Sequence, residues 1–241
     1  GRIVQSRFYR TNGFLMKAIA FSGGRDSWAC LWLNESILHS CHVIWVNAGS
    51  NIPEVLESVN KARQMCANFH EVKTDKDGNN IRYGFPADVV PIDWTALGHS
   101  VSGEKDVMIQ SYLGCCYENI SGPLHSFAKR LGVTELIRGQ RIADTHKGTA
   151  RDGDDIDGIT YRHPIEGWST DDVTRYLSSK MELPRHFHLS HSSVDCFDCT
   201  AYTKETRDKA VYLEKYHPVL FAEFSRKKTL VDSAIATALR S

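Results

Sequence analysis

The sequence predicts an α/β fold, a parallel sheet flanked by helices and followed by a smaller helical part. Two observations carry this expectation. Short apolar runs of strand length, KAIAF at 17–21, CHVIWV at 41–46 and the run at 69–72, are separated by stretches of helical character. Strands alternating with helices in this way make crossover units and hence a parallel sheet. In addition, 41% of the residues are hydrophobic and 24% charged, the balance of an ordinary globular chain with a packed core.

Taken in order, the first apolar run ends at Ser22-Gly23-Gly24, and a helix is predicted over 26–38, with Trp28, Leu31, Trp32 and Ile37 supplying its apolar positions. Pro53 sits at an allowed first helical position, and the second helix is expected to reach about residue 67. Residues 74–103 are rich in Asp, Gly, Asn and Pro and read as a long loop. The DKDGNN stretch at 75–80 starts like a calcium loop but lacks the glycine and glutamate that such a loop needs. A helix is predicted over 104–131, with Cys115-Cys116 inside it. A fourth strand is expected at 135–137, a polar segment at 142–157 and a fifth strand at 158–165. Ser169 reads as the N-cap of the next helix, with Asp171 and Asp172 in its first turn. Residues 200–241 read as helical, broken at His217-Pro218. The expected organisation is an α/β nucleotide-binding domain over 1–165 and a helical region over 166–241 that carries Cys196-x-x-Cys199.

Charge and cysteine usage narrow the function classes. Lys+Arg and Asp+Glu each total 29, so any contact with nucleic acid must come from a local patch. The stretch with Lys129, Arg130, Arg138, Arg141, His146, Lys147 and Arg151 is the candidate patch, and a solvated charged face is the alternative. No apolar run approaches the roughly 18 residues that span a membrane. Arg2, Arg7 and Arg10 precede no leader-type apolar segment, so a cytoplasmic protein is expected. In such a protein, the close pairs Cys115-Cys116 and Cys196-x-x-Cys199 point to metal or redox work rather than to a disulfide framework. Cys30, Cys41 and Cys66 fall on apolar elements and read as buried small hydrophobes.

The segment Ser22-Gly23-Gly24-Arg25-Asp26-Ser27 lies between a predicted strand and a predicted helix. Glycines let backbone approach a ligand closely, and a helix start offers N–H groups and a positive dipole end to phosphate. Ser22 and Ser27 can donate hydroxyls, Arg25 can add charge and Asp26 can help hold Mg²⁺. The segment is neither a Walker A loop nor a dinucleotide G-x-G-x-x-G.

SGGRDS resembles the SGG-x-DS loop of the PP-loop ATP pyrophosphatases, the adenine nucleotide α-hydrolase group. Further segments resemble, in order, the phosphoadenylyl-sulfate reductase family within that group. They are Asn47-Ala48-Gly49 with Ile52-Pro53-Glu54, Cys115-Cys116 with Gly122-Pro123-Leu124, and Gly139-Gln140-Arg141 with Lys147 and Arg151. Pro164-Ile165 with Trp168 and Cys196-Phe197-Asp198-Cys199-Thr200 complete the series. The resemblance implies a Rossmann-like PP-loop domain. It implies nucleotide binding through Ser22, Gly23, Gly24, Arg25, Asp26, Ser27, Asn47, Gly49 and Gly139, and catalytic roles for Asp26, Arg141 and Lys147.

The CC…CxxC spacing resembles that of the cluster-binding adenylyl-sulfate reductases, which implies a [4Fe–4S] cluster on Cys115, Cys116, Cys196 and Cys199. Adjacent cysteines can both face one cluster if the helix bends there. A Cys/His zinc site drawing on His186, His188 or His191, and metal-free thiols, remain the rivals. Two departures from the reductases favour ATP over a sulfonucleotide: no cysteine follows Cys199, and the SGG-x-DS loop is intact.

The expected function is therefore cleavage of ATP·Mg²⁺ to AMP and pyrophosphate, activating a substrate for sulfur transfer. The expected partners are an adenine nucleotide, a sulfur-donor protein, further copies of the chain in a homo-oligomer, and nucleic acid through the local patch, with no membrane. The alternatives are a sulfonucleotide reductase using a partner's thiol and a non-catalytic nucleotide-binding subunit of a modification or defence complex.

Overall fold

The computed structural model describes residues 16–142, 150–189, 196–202 and 206–240. Among them, a six-stranded sheet runs in the order β3-β2-β1-β6-β8-β7. Its strands are β1 (Lys17–Ala20), β2 (His42–Asn47), β3 (Asn68–Lys73), β6 (Glu135–Ile137), β7 (Asp155–Ile156) and β8 (Ile159–Arg162). Every pairing is parallel except β7 with β8. The α/β expectation holds, and the predicted fifth strand shortens to β8, with Asp155–Ile156 as an added antiparallel edge.

The central strands are apolar on both faces because both are covered. Side chains alternate across the sheet. Ile19, Val43, Trp45 and Ile137 enter one core cluster, while Ala18, Ile44, Leu136 and Ile159 enter another. The first cluster takes in α1 (Arg25–Leu33), α2 (Pro53–Met65), α7 (Thr170–Ser178), α9 (Thr206–Tyr216) and α10 (Pro218–Ala238) through Leu31, Val59, Leu177, Leu213 and Phe224. The second is closed by Leu124 and Ala128 of α6 (Gly122–Arg130). The helix predicted over 26–38 ends earlier, at Leu33. Asn34 donates its side-chain amide to the Cys30 carbonyl at 2.8 Å, and a 3₁₀ turn, Glu35–Ile37, follows. Ser169 caps α7 as expected and forms a reciprocal capping box with Asp172.

Residues 74–103 depart most from expectation. They hold α3 (Lys76–Tyr83), β4 (Phe85–Ala87), a 3₁₀ turn at Ile92–Trp94 and α4 (Ala96–Ser102). Polar composition hid these helices because their starts are themselves made of polar caps. The Asp75 carboxylate accepts the Gly78 N–H at 2.9 Å, and the Thr95 hydroxyl accepts that of Gly98 at 3.0 Å. Gly84, at φ +97°, lets the chain pass so close to Met108 that a Cβ would lie 2.1 Å from its carbonyl carbon. That approach lets β4 pair in parallel with β5 (Ile109–Ser111).

The helix predicted over 104–131 begins only at Tyr112. It runs as α5 (Tyr112–Cys116), a π-helical turn Tyr117–Ser121 and then α6. The helix therefore changes pitch immediately after Cys115-Cys116. The Asn119 side chain donates to the Cys115 carbonyl at 2.9 Å across this turn. Such π segments recur at functional sites. The short α8 (Arg185–Leu189) completes the described elements.

One cluster ties the C-terminal helices to the start of α2. The Tyr212 hydroxyl donates to Glu54, whose other carboxylate oxygen lies 2.9 Å from His217 Nε2. Burial alone would raise the Glu54 carboxyl. Hydrogen bonds from Tyr212, its own backbone N–H and His217 outweigh burial and hold it below the ordinary 4.5. A lowered carboxylate contributes stability that is present above its unfolded value and is lost as pH falls through the folded one. Stability should therefore drop as pH falls from about 4.5, and Glu54→Gln should remove that part of the drop. Urea unfolding midpoints between pH 3 and 6 check this; parallel curves for the two proteins would refute it.

Candidate active site

The loop after β1 is built by the sheet. The Phe21 N–H donates to the Ile44 carbonyl at 2.9 Å, which carries the chain over the C-terminal end of β1 into Ser22-Gly23-Gly24. Gly24 is the N-cap of α1, and no side chain caps it. The Ser22 hydroxyl accepts the Gly24 N–H at 3.3 Å, and Ser27 donates its hydroxyl to the Gly24 carbonyl at 2.8 Å. The positive end of α1 thus faces the cavity above the loop.

Gly139 follows β6, where the chain comes against α1. A Cβ on it would fall 2.6 Å from the Asp26 carbonyl carbon, so only glycine fits. This approach brings Arg141 to Asp26. The Arg141 Nε lies 3.3 Å from the Asp26 carboxylate, and its Nη1 donates to the Thr170 hydroxyl at 3.0 Å. Arg141 is 5% exposed, so the sheet and α7 fix its direction. Arg25 reaches the other way, donating to the Phe187 carbonyl at 3.1 Å.

One cavity of about 560 Å³ joins this loop to the cysteines. Its lining includes Ser22, Gly24, Arg25, Asp26, Ser27, Gly139 and Arg141 together with Cys115, Cys116, Cys196 and Cys199. Gly23, Asn47 and Gly49 do not line it. Asn47 instead builds the turn after β2, accepting the Gly49 N–H at 2.9 Å and the Asn51 amide at 2.8 Å. Lys147, His146 and His191 lie outside the described residues.

The described members of the basic stretch do not share one surface. Arg138 and Arg141 line the cavity, while Lys129 and Arg151 pair with Asp157 and Glu166 outside it.

The cysteine wall is held by buried charges that the sequence did not advertise. Cys115 and Cys116 end α5, and Cys196 and Cys199 bracket a turn closed by the Cys199 N–H to the Cys196 carbonyl at 3.0 Å. Asp198, inside that turn, pairs with Lys76 of α3 and Lys227 of α10, all three being buried. Lys76 also donates to the Ser50 hydroxyl at 3.0 Å, and Lys209 donates to the Cys199 carbonyl at 3.1 Å. Burial would raise the Asp198 carboxyl, but Lys76 and Lys227 hold it well below the carboxylate range. Burial would likewise lower the Lys76 ammonium, and Cys196, Asp198 and Cys199 reverse that and raise it. Lys76 falls in the stretch set aside as a failed calcium loop, and no local signal marks it or Lys209 as buried.

The four cysteines fit an iron–sulfur cluster. Burial, then Cys116, pushes the Cys115 thiol up to about 11, and burial with Cys199 raises Cys116. Bare, Cys115 and Cys116 are thereby held as thiols, whereas a metal centre takes them as thiolates. The buried ammonium groups of Lys76 and Lys209 then stand beside the thiolate charge. Among the described residues, no three His, Cys, Asp or Glu side chains converge on a single-ion position. His186 lines the cavity but is 3% exposed with both ring nitrogens unpaired, and burial draws it down to about 4. Cys30, Cys41 and Cys66 are core residues, as expected, with burial raising the thiols of all three.

Comparison with known proteins adds a family. The model of the phosphoadenosine phosphosulfate reductase domain matches residues 17–202. A search of curated proteins returns no match. Among solved structures, the chain is similar to phosphoadenylyl-sulfate (PAPS) reductase from Candida auris in a phosphate complex. The identity is 14%, with 73% of this chain and 78% of that one covered, at a TM-score of 0.48. It is also similar to a structure titled as a predicted subunit of tRNA methyltransferase from Methanocaldococcus jannaschii. There the identity is 17%, with 83% and 88% covered, at a TM-score of 0.41.

Asp198→Asn should leave two buried lysines without their shared counter-charge and destabilise the protein by about 3–5 kcal/mol. Chemical denaturation measures this; a loss under about 1 kcal/mol, the worth of an exposed pair, would refute it.

Proposed function

The chain belongs to the phosphoadenosine phosphosulfate reductase family, and we propose that it is an ATP-binding PP-loop enzyme that adenylylates an acceptor for sulfur transfer. Family membership carries nucleotide binding and a PP-loop fold. The observation that carries the finer reading is the single cavity that the SGGRDS loop shares with the four cysteines.

In this reading, the loop at 22–27 and the start of α1 receive the phosphates of ATP with Mg²⁺, the backbone N–H groups and the Ser22 and Ser27 hydroxyls donating to their oxygens. Asp26 serves twice, as a carboxylate near the metal-bound phosphates and as the anchor of Arg141. Arg141, already oriented by Asp26 and Thr170, supplies positive charge where oxygens gain negative charge as the α–β bond breaks. An acceptor oxygen attacks the α phosphorus, the bond to the bridging oxygen breaks, and pyrophosphate leaves with Mg²⁺. A sulfur nucleophile brought by a donor protein then displaces AMP from the acceptor. Lys147 follows Arg141 closely in the sequence and is assigned to the phosphates with it.

Cys115, Cys116, Cys196 and Cys199 would hold the [4Fe–4S] cluster, which when bound supplies a redox-active, thiolate-ligated iron centre on the wall of the same cavity. Lys76 and Lys209 would offset its charge.

Anaerobically purified protein given ATP·Mg²⁺ and candidate acceptors should release AMP and pyrophosphate, and Asp26→Ala should lower that rate about 100-fold or more. Sulfite release from adenylyl sulfate with reductant, and none of these products from ATP, would replace this reading with sulfonucleotide reduction. Binding of ATP without turnover under every condition would replace it with a sensor.

The same preparation should carry about four iron atoms per chain with visible absorption, and Cys199→Ser should lower both. Iron-free protein after anaerobic reconstitution would remove the cluster.

A further inference from the structure

Among the described residues, five cations line the cavity, and four of them are engaged with protein. Arg25 donates to the Phe187 carbonyl, Arg141 pairs with Asp26, Lys76 pairs with Asp198, and Lys209 donates to the Cys199 carbonyl. Arg138 is the exception. Its backbone N–H continues the sheet by donating to the Arg162 carbonyl at 2.8 Å. Its guanidinium carbon lies 5.9 Å from the centroid of the Tyr161 ring. Among the described residues, the guanidinium makes no ion pair and no hydrogen bond to protein. Three described acids on neighbouring elements pair with other groups. Asp26 holds Arg141, Glu135 holds Lys17 and Arg162, and Asp157 faces His125 and Lys129.

A guanidinium is always charged and presents planar donors that match an oxyanion two at a time. Taking such a charge out of water without a counter-charge costs stability. Burial lowers the Arg138 pKa, which is the expected response of a cation short of negative partners. It is partly buried and lines the cavity. The ligand-free protein thus maintains a destabilising charge beside Gly139 and the start of α1.

We propose that Arg138 is the receptor for a tetrahedral oxyanion, a sulfate- or phosphate-type group, of the ligand bound in this cavity. It rests on the cavity being the ligand site. The oxyanion has two sources with the same chemistry, the pyrophosphate end of the nucleotide or a separate acidic group on the acceptor. Tyr161 backs the guanidinium with its ring face and restricts its swing. The residue is a specificity determinant that selects anionic ligands and takes no part in bond making.

The test is thermal unfolding of the anaerobic full-length protein, alone and with millimolar pyrophosphate, sulfate, AMP or ATP·Mg²⁺, against chloride at matched ionic strength. Wild type should be stabilised by at least one oxyanion. Arg138→Met should raise the melting temperature of the ligand-free protein while weakening oxyanion binding about tenfold or more. Arg138→Lys, which keeps charge but not the fork, should fall between them. Loss of the pyrophosphate and ATP responses, with the AMP response kept, places the oxyanion on the nucleotide. Loss of the sulfate response alone places it on the acceptor. If sulfate or pyrophosphate binds through Arg138 while ATP does not bind at all, the anion receptor stands and the ATP reading falls. If Arg138→Met destabilises the ligand-free protein and leaves every response unchanged, Arg138 is structural and the proposal is overturned.

Discussion

Asp198 has almost no access to water, and two lysines far from it in sequence keep it ionised. Lys76 comes from α3 and Lys227 from α10, so one carboxylate joins the excursion after β3, the CxxC turn and the C-terminal helix. The cost of burying three charges is large, and a packed apolar triad of the same volume would serve stability equally well. What an apolar triad could not do is set positive charge beside four cysteines. Lys76 of the triad does that together with Lys209, and both are buried and line the cavity with the cysteines.

The other wall follows from the parallel sheet. Because β1, β2 and β6 run the same way, their C-terminal ends open on one side. Ligands of open α/β sheets bind beyond those ends. The loop at 22–27 leaves β1 there, and Gly139-Gln140-Arg141 leaves β6 there. The missing side chain of Gly139 lets the two segments close to van der Waals distance, and the Asp26–Arg141 pair forms across the gap. A π turn follows Cys116 directly, and both cysteines of the pair line the cavity. Loop, arginine and cysteines thus meet through three separate devices: strand direction, a glycine contact and a helical defect.

Much of this was legible in the sequence. Apolar runs of strand length located β1, β2, β3 and β6, Pro53 marked the start of α2, and Ser169 with Asp172 marked that of α7. Where the reading of 74–103 as loop failed, short helices start on Asp75 and Thr95 side chains, and polar caps look like loop until the hydrogen bonds are seen. No local signal marks Lys76, Lys209 or Lys227 as buried, because a lysine is buried only when something distant pairs with it. Arg138 was legible only as one charge in a basic stretch, and its lack of an ion pair among the described residues is a property of the packed chain.

By itself, the sequence determined the fold class, the phosphate-type loop and the two cysteine pairs, because apolar period, glycine placement and residue type act over a few neighbours. Only the tertiary structure decided that loop and cysteines face one cavity, that Asn47 and Gly49 do not line it, and that, among the described residues, four of its five cations are engaged while Arg138 makes no ion pair. Those outcomes depend on which charges meet across the sheet and on how much water is left between them, and neither is a local property of the chain.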